Sequence, residues 1–166
     1  LAGCPKGGSG GGALPPSVEL DVLGPLWPSL CVSTVPEAGR PPKADRAAIQ
    51  SALDRLALNK AAEATSALST AMPSPAVHSV RAIADLLQGS TTSLSKLDEL
   101  TTDYPQDACL LRGAALARHL TRAPGALDLA QRALAADPAH PDGPLLVAIL
   151  SLVSGDEATA RQQLAD

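Results

Sequence analysis

Phenylalanine is absent from this 166-residue sequence, and its aromatic side chains amount to one Trp and one Tyr. A core without rings must be filled by Ala, Leu, Val and Ile, and side chains of that size suit close helix-on-helix packing. Long apolar runs are missing as well. The longest, PLLVAILSLV at 144–153, falls far short of the roughly 20 residues that a bilayer-spanning helix takes. Clusters of Lys and Arg are also lacking. The net charge is −4, and no basic stripe offers the surface that nucleic acid requires.

Catalytic constellations are absent too. His78, His119 and His140 fall in different parts of the chain, and none has a Cys or carboxylate at metal-ligand spacing. No metal or other cofactor is therefore expected, and HPD at 140–142 reads as a turn with a solvated histidine. GGSGGG at 7–12 lacks the Lys-Ser/Thr ending of a phosphate loop, and no G-x-S-x-G nucleophile elbow occurs. Asp98 and Glu99 are adjacent on an expected helix, point to different sides, and fit a solvated face. The chain is not expected to be an enzyme or to take a small-molecule substrate.

What the sequence does contain changes character near residue 42. Residues 4–41 are crowded with Gly and Pro, which leave the backbone entropic or strip it of donors. Residues 4–17 read as a flexible tether. VELDVLGPLWPSLCVSTV at 18–35 reads as an extended strap, with Trp27 as its anchor on the following domain. From 42 to 166 the pattern is helical, and Pro73, Pro105 and Pro138 each close a helical stretch at nearly even spacing. A period near 34 residues in which two short helices end at a proline marks a helical-hairpin repeat. The units are 42–73, 74–106, 107–140 and a shorter 141–166. One such hairpin cannot bury its apolar stripe alone, so stacked neighbours must supply the core. The competing reading is an irregular helical bundle with coincidental proline spacing.

The third unit holds Ala114, Ala126, Ala133 and Pro138 at its positions 8, 20, 27 and 32, and the fourth holds Ala148 and Ala160 at 8 and 20. On these residues the region resembles a tetratricopeptide-repeat (TPR) domain, whose pattern asks for small residues where helices approach. The first unit offers Ala61, Leu68 and Pro73, whereas the second departs from the pattern with Arg81 and Ser93. The family's aromatic positions are empty except at Tyr104. The resemblance implies an all-α, TPR-like solenoid of about four units. It also implies a protein partner held against the first helices of successive units. By register that surface comprises Arg46, Gln50 and Asp54, then His78 and Asp85, then Arg118 and His119, and finally Leu145, Ile149, Leu152 and Val153. The last four form an apolar ridge followed only by the hairpin that ends in ARQQLAD, with no polar capping helix after it. Three covers are open for the ridge: the strap around Trp27, a partner protein, or the chain's own core if the register is shifted by one.

LAGC at 1–4 resembles the lipobox of bacterial lipoproteins: Leu, a small residue, Gly or Ala, then Cys. The resemblance implies that residues 1–3 are the remnant of a signal peptide and that Cys4 carries a covalent lipid, with PKGGSGGG behind it as the tether. Several acyl chains on one residue hold a protein stably on a bilayer. Pro5 stands where an Asp would signal retention in the inner membrane, which implies the outer membrane, facing the periplasm or the cell surface. Cys31 and Cys109 are then an even pair in an oxidising compartment. A bond between them would close a loop of about eighty residues and stabilise by roughly 4 kcal/mol on the chain-entropy estimate. Two buried, inert thiols are the other reading. The function expected is a lipoprotein scaffold or assembly factor for an envelope complex; the alternative is a structural subunit permanently built into such a complex.

Overall fold

The structure, a computed structural model, describes residues 41–90 and 92–165. Cys4, Trp27, Cys31 and the side chain of Ser93 lie outside what is described. Eight α-helices and no strand make up the described residues, so this part of the chain is all-α. They are α1 (Lys43–Ala57), α2 (Ala61–Ala67), α3 (Pro75–Leu87), α4 (Thr92–Asp103), α5 (Ala108–Leu120), α6 (Ala126–Ala136), α7 (Gly143–Ser154) and α8 (Glu157–Ala165).

Local chemistry sets the helix starts. Ser74 Oγ accepts the Val77 N–H at 3.3 Å, and Pro75 opens α3 with a φ already suited to a first turn. Asp107 Oδ1 accepts from the N–H groups of Cys109 and Leu110 at 3.0 and 3.2 Å, satisfying two donors that α5 cannot use internally. Asp156 Oδ1 does the same for Thr159 at 3.1 Å ahead of α8.

The ends of α1, α3, α5 and α7 share one device. In each, a residue with left-handed φ follows the helix: Asn59, Gly89, Arg122 and Gly155. The next N–H then reaches back five residues, from Lys60 to Arg55, Ser90 to Asp85, Ala123 to Arg118 and Asp156 to Ser151, all at 2.8–2.9 Å. A second bond joins the left-handed residue to the carbonyl three back, as in Asn59 to Leu56 and Gly155 to Leu152. This is the Schellman closure, which reverses the chain and satisfies carbonyls at the helix end. Four odd-numbered helices therefore hand the chain to their successors through the same turn.

Packing follows the chain closely. Each helix packs on the next one in sequence, and in addition α1 packs on α3, and α3 on α5. The core is aliphatic throughout, built from Leu53 and Leu56 of α1, Val80 and Ile83 of α3, Leu97 of α4, Leu111 and Leu116 of α5, Leu129 of α6 and Leu146 and Leu150 of α7. Ala114, Ala133, Ala148 and Ala160 are buried where neighbouring helices approach, while Ala126 is half-buried. The closest approach is between α3 and α5. A Cβ on Gly113 would lie 2.2 Å from Ser79 Oγ, which is itself fully buried. The oversized Arg81 is accommodated by reaching sideways, its Nη2 donating to the Leu68 carbonyl at 3.0 Å.

Candidate functional site

The twelve residues of α7, GPLLVAILSLVS, form the most apolar helix among the described residues. One side of α7, with Leu146, Val147, Ala148, Leu150 and Ser151, is buried where the helix packs on α6 and α8. Approach to α6 is tight, since a Cβ on Gly143 would come within 2.9 Å of Leu134 Cδ1. The opposite side carries Leu145, Ile149, Leu152 and Val153, spaced i, i+4, i+7, i+8 and therefore aligned along one stripe. Leu152 and Val153 are 53% and 55% exposed, Leu145 is exposed, and Ile149 is half-buried at the stripe's inner margin. Leu164 of α8 adds another exposed aliphatic side chain, and Arg161 and Glu157 pair with each other at 3.2 Å on that helix. The stripe offers dispersion and dehydration to an apolar partner and no reactive group.

The polar candidates do not behave as one groove. Arg46 is exposed on α1, and Gln50 Nε2 donates to Asp54 Oδ1 at 2.9 Å, so those two occupy each other. His78 is half-buried on α3, and burial first, then the positive charges of Lys96 and Arg81, hold its imidazole below the ordinary range. Asp85 is half-buried on the same helix. Arg118 is committed within the fold: Nη2 donates to Asp98 Oδ1 of α4 at 2.7 Å and Nη1 to the Pro124 carbonyl at 2.6 Å. Asp98 is accordingly a tie between α4 and α5, while Glu99 pairs with Lys96 at 2.8 Å. His119 is buried and presents little surface to a ligand.

The histidine of HPD at 140–142 is not solvated. His140 is buried in the α6–α7 connection, with its Nδ1 accepting the Asp142 N–H at 3.3 Å. It belongs to a buried polar knot absent from the sequence reading. Arg112, 3% exposed, donates through Nη1 to Asp137 Oδ2 at 3.4 Å, and Asp107 and Asp142 add their negative charge nearby. Burial lowers the Arg112 guanidinium's affinity for its proton, opposed by Asp137. The Asp107 carboxyl is raised above the ordinary range by burial, against the hydrogen bonds from Leu110 and Cys109. The signal for this knot was a lone Arg between Leu111 and Gly113 in an otherwise apolar run. Its chemistry is that of an internal fastener between α5 and the α6–α7 connection.

Among the described residues no group of three or more His, Cys, Asp or Glu is placed to hold a metal ion, and no helix is long and apolar enough to cross a membrane. Cys109, buried at the start of α5, is disulfide-bonded, and the other two cysteines of the sequence lie outside the described residues. The chain matches no protein family, no curated protein and no solved structure.

Proposed function

We propose that this chain is a lipid-anchored scaffold of a bacterial envelope, in which a TPR-like stack of four helical hairpins presents the apolar stripe of α7 to another envelope protein. The stripe of Leu145, Leu152 and Val153 is the observation that carries this reading. Exposed aliphatic residues aligned on one helix face are a feature of surfaces awaiting a protein partner. The stack reading draws support from the four matching Schellman turns, from the chain-local packing, and from buried Ala at the expected register positions. The anchor reading draws on LAGC at 1–4 and the Gly/Ser run behind it.

The test is cross-linking and recovery from native membranes, comparing the wild-type chain with L152D/V153D. Both residues are exposed, so the variant is expected to fold with a stability change within about 0.5 kcal/mol per site. Specific loss of a cross-linked partner in the variant is the expected result. An unchanged partner profile removes the stripe from the mechanism. Mass measurement of the N-terminal peptide reads the anchor separately: an unmodified Cys4 thiol in native material ends the lipoprotein reading.

A further inference from the structure

Charge, as well as hydropathy, sets α7 apart. Among the described residues it is the one helix without an Asp, Glu, Lys, Arg or His. The chain as a whole carries −4, so two copies repel one another over most of their surface. On α7 they can meet without setting like charges face to face. Its flank adds no net charge either, because Glu157 and Arg161 of α8 pair with each other. The first two helices fit the stripe poorly. Helices α1 and α2 and the turn between them expose Arg46, Asp54, Arg55, Lys60 and Glu63. Laid against aliphatic side chains, those charges would lose water and gain no partner. Within the described part of a second copy, the surface that best matches the α7 stripe is therefore the stripe itself. A surface that pairs with itself does so across a two-fold axis.

We propose that the α7 stripe is a self-association site, on which a second copy of this chain lies antiparallel with the two-fold axis passing Ile149. The spacing is symmetric about that residue: Leu145 precedes it by four positions and Val153 follows it by four. Reversing the second copy keeps Ile149 on the axis and turns Leu145 of each copy towards Val153 of the other. The reversal also sets the positive end of each helix dipole near the negative end of its mate, which a parallel copy would not do. Size sets the strength of the contact. The twelve residues of α7 make a helix about 18 Å long, and with one neighbouring helix the face is about 20 Å wide. Each copy then covers roughly 350 Å², under half of the about 800 Å² per partner of a standard interface. The association is accordingly transient, and it keeps the stripe covered until a larger or better-matched surface displaces the second copy. It goes beyond the scaffold reading and depends on neither the anchor nor the envelope partner.

Sedimentation equilibrium of the full 166-residue chain tests the association. The weight-average mass is expected to rise from 16.8 kDa towards twice that value as the concentration climbs from roughly 10 µM to 1 mM. V153D, with helix content unchanged by circular dichroism, is expected to weaken association about tenfold or more, because it sets a carboxylate against aliphatic side chains. A wild-type mass that stays constant across that range, or V153D associating as strongly as the wild type, overturns the proposal. Oxidative cross-linking, with linked peptides identified by mass, reads the arrangement. I149C is expected to link to itself between copies, V153C alone to link little, and a mixture of V153C with L145C to give mixed dimers. Self-linking of V153C stronger than that of I149C overturns the antiparallel arrangement. A wild-type chain that stays monomeric while V153D loses a cross-linked partner in native membranes gives the stripe to another protein and overturns the second copy alone. Self-association with an unchanged partner profile in V153D upholds the second copy and removes the stripe from the scaffold reading.

Discussion

Helices α5 and α7 invert the usual relation between hydropathy and burial. The first contains Arg112, Arg118 and His119 and is buried along almost its whole length. The second is aliphatic apart from two serines, a Gly and a Pro, yet leaves Leu145, Leu152 and Val153 in contact with solvent. Their starts differ as well: Asp107 caps α5, whereas the Asp142 side chain makes no capping bond to α7. Placement among the neighbouring helices explains the inversion better than composition does. Helix α5 packs closely on α3, α4 and α6, while the close partners of α7 are α6 and α8. In α5, polar groups are tolerated because Asp137 and Asp98 meet them. In α7, apolar groups are left over because neighbours cover only one side.

Mutations sharpen this contrast. The largest effect is expected from D137A, which strands the Arg112 charge in the interior and costs about 3–5 kcal/mol in urea denaturation. The double variant R112M/D137L, which removes both charges, is expected to recover most of that loss. Similar losses from the two variants would mean that the knot is solvated. Truncation of an aliphatic residue comes next. L116A in α5 is expected to cost about 2–5 kcal/mol, and L152A in α7 to stay within about 0.5 kcal/mol. Equal costs would break the comparison outright.

Removal of the α5 cap by D107A is expected to cost about 1 kcal/mol. Asp107 also carries a pH signature. Its native carboxyl titrates above the ordinary range, so the native state holds the proton more tightly than the unfolded chain does. The stability gained from that proton is complete below the ordinary carboxylate value and disappears as pH rises through the native one. The stability difference between the wild-type chain and D107N should therefore shrink across that window and be flat above it, as measured by urea titrations at a series of pH values. The smallest effects concern the turns. G155A forces an L side chain into left-handed φ and is expected to cost about 1 kcal/mol, while R122G, relieving the same conformation at φ 56, is expected to gain up to about 1 kcal/mol. Opposite signs in a thermal melt would support the shared turn geometry.

Much of the helical layout was legible because proline and glycine punctuate it. Pro73, Pro105 and Pro138 follow α2, α4 and α6, and Gly155 closes α7. The turns after α1 and α5 were harder to read, since Asn59 and Arg122 occupy the left-handed position without the glycine that usually announces it. The interaction surface was legible only in part. The register of the resembled repeat singled out Leu145, Ile149, Leu152 and Val153, and helical periodicity does put them on one side. It did not reveal that Arg118 is tied to Asp98, or that His119 and His140 are interior. Those facts depend on which helix lies next to which, and no single-chain periodicity encodes that. The Arg112 knot was missed for the same reason: its partner Asp137 is 25 residues away, on the other side of α6.

The chain-local packing has a mechanical corollary. A molecule whose segments touch chiefly their sequence neighbours loses order piecemeal, from whichever end is pulled or heated first. Helix α8 leans on α7, so a load applied through the Leu152–Val153 region would be borne first by these two helices. The pair can detach while α1 to α5 keep their amide protons protected. A chain built this way yields gradually under tension rather than in one cooperative step.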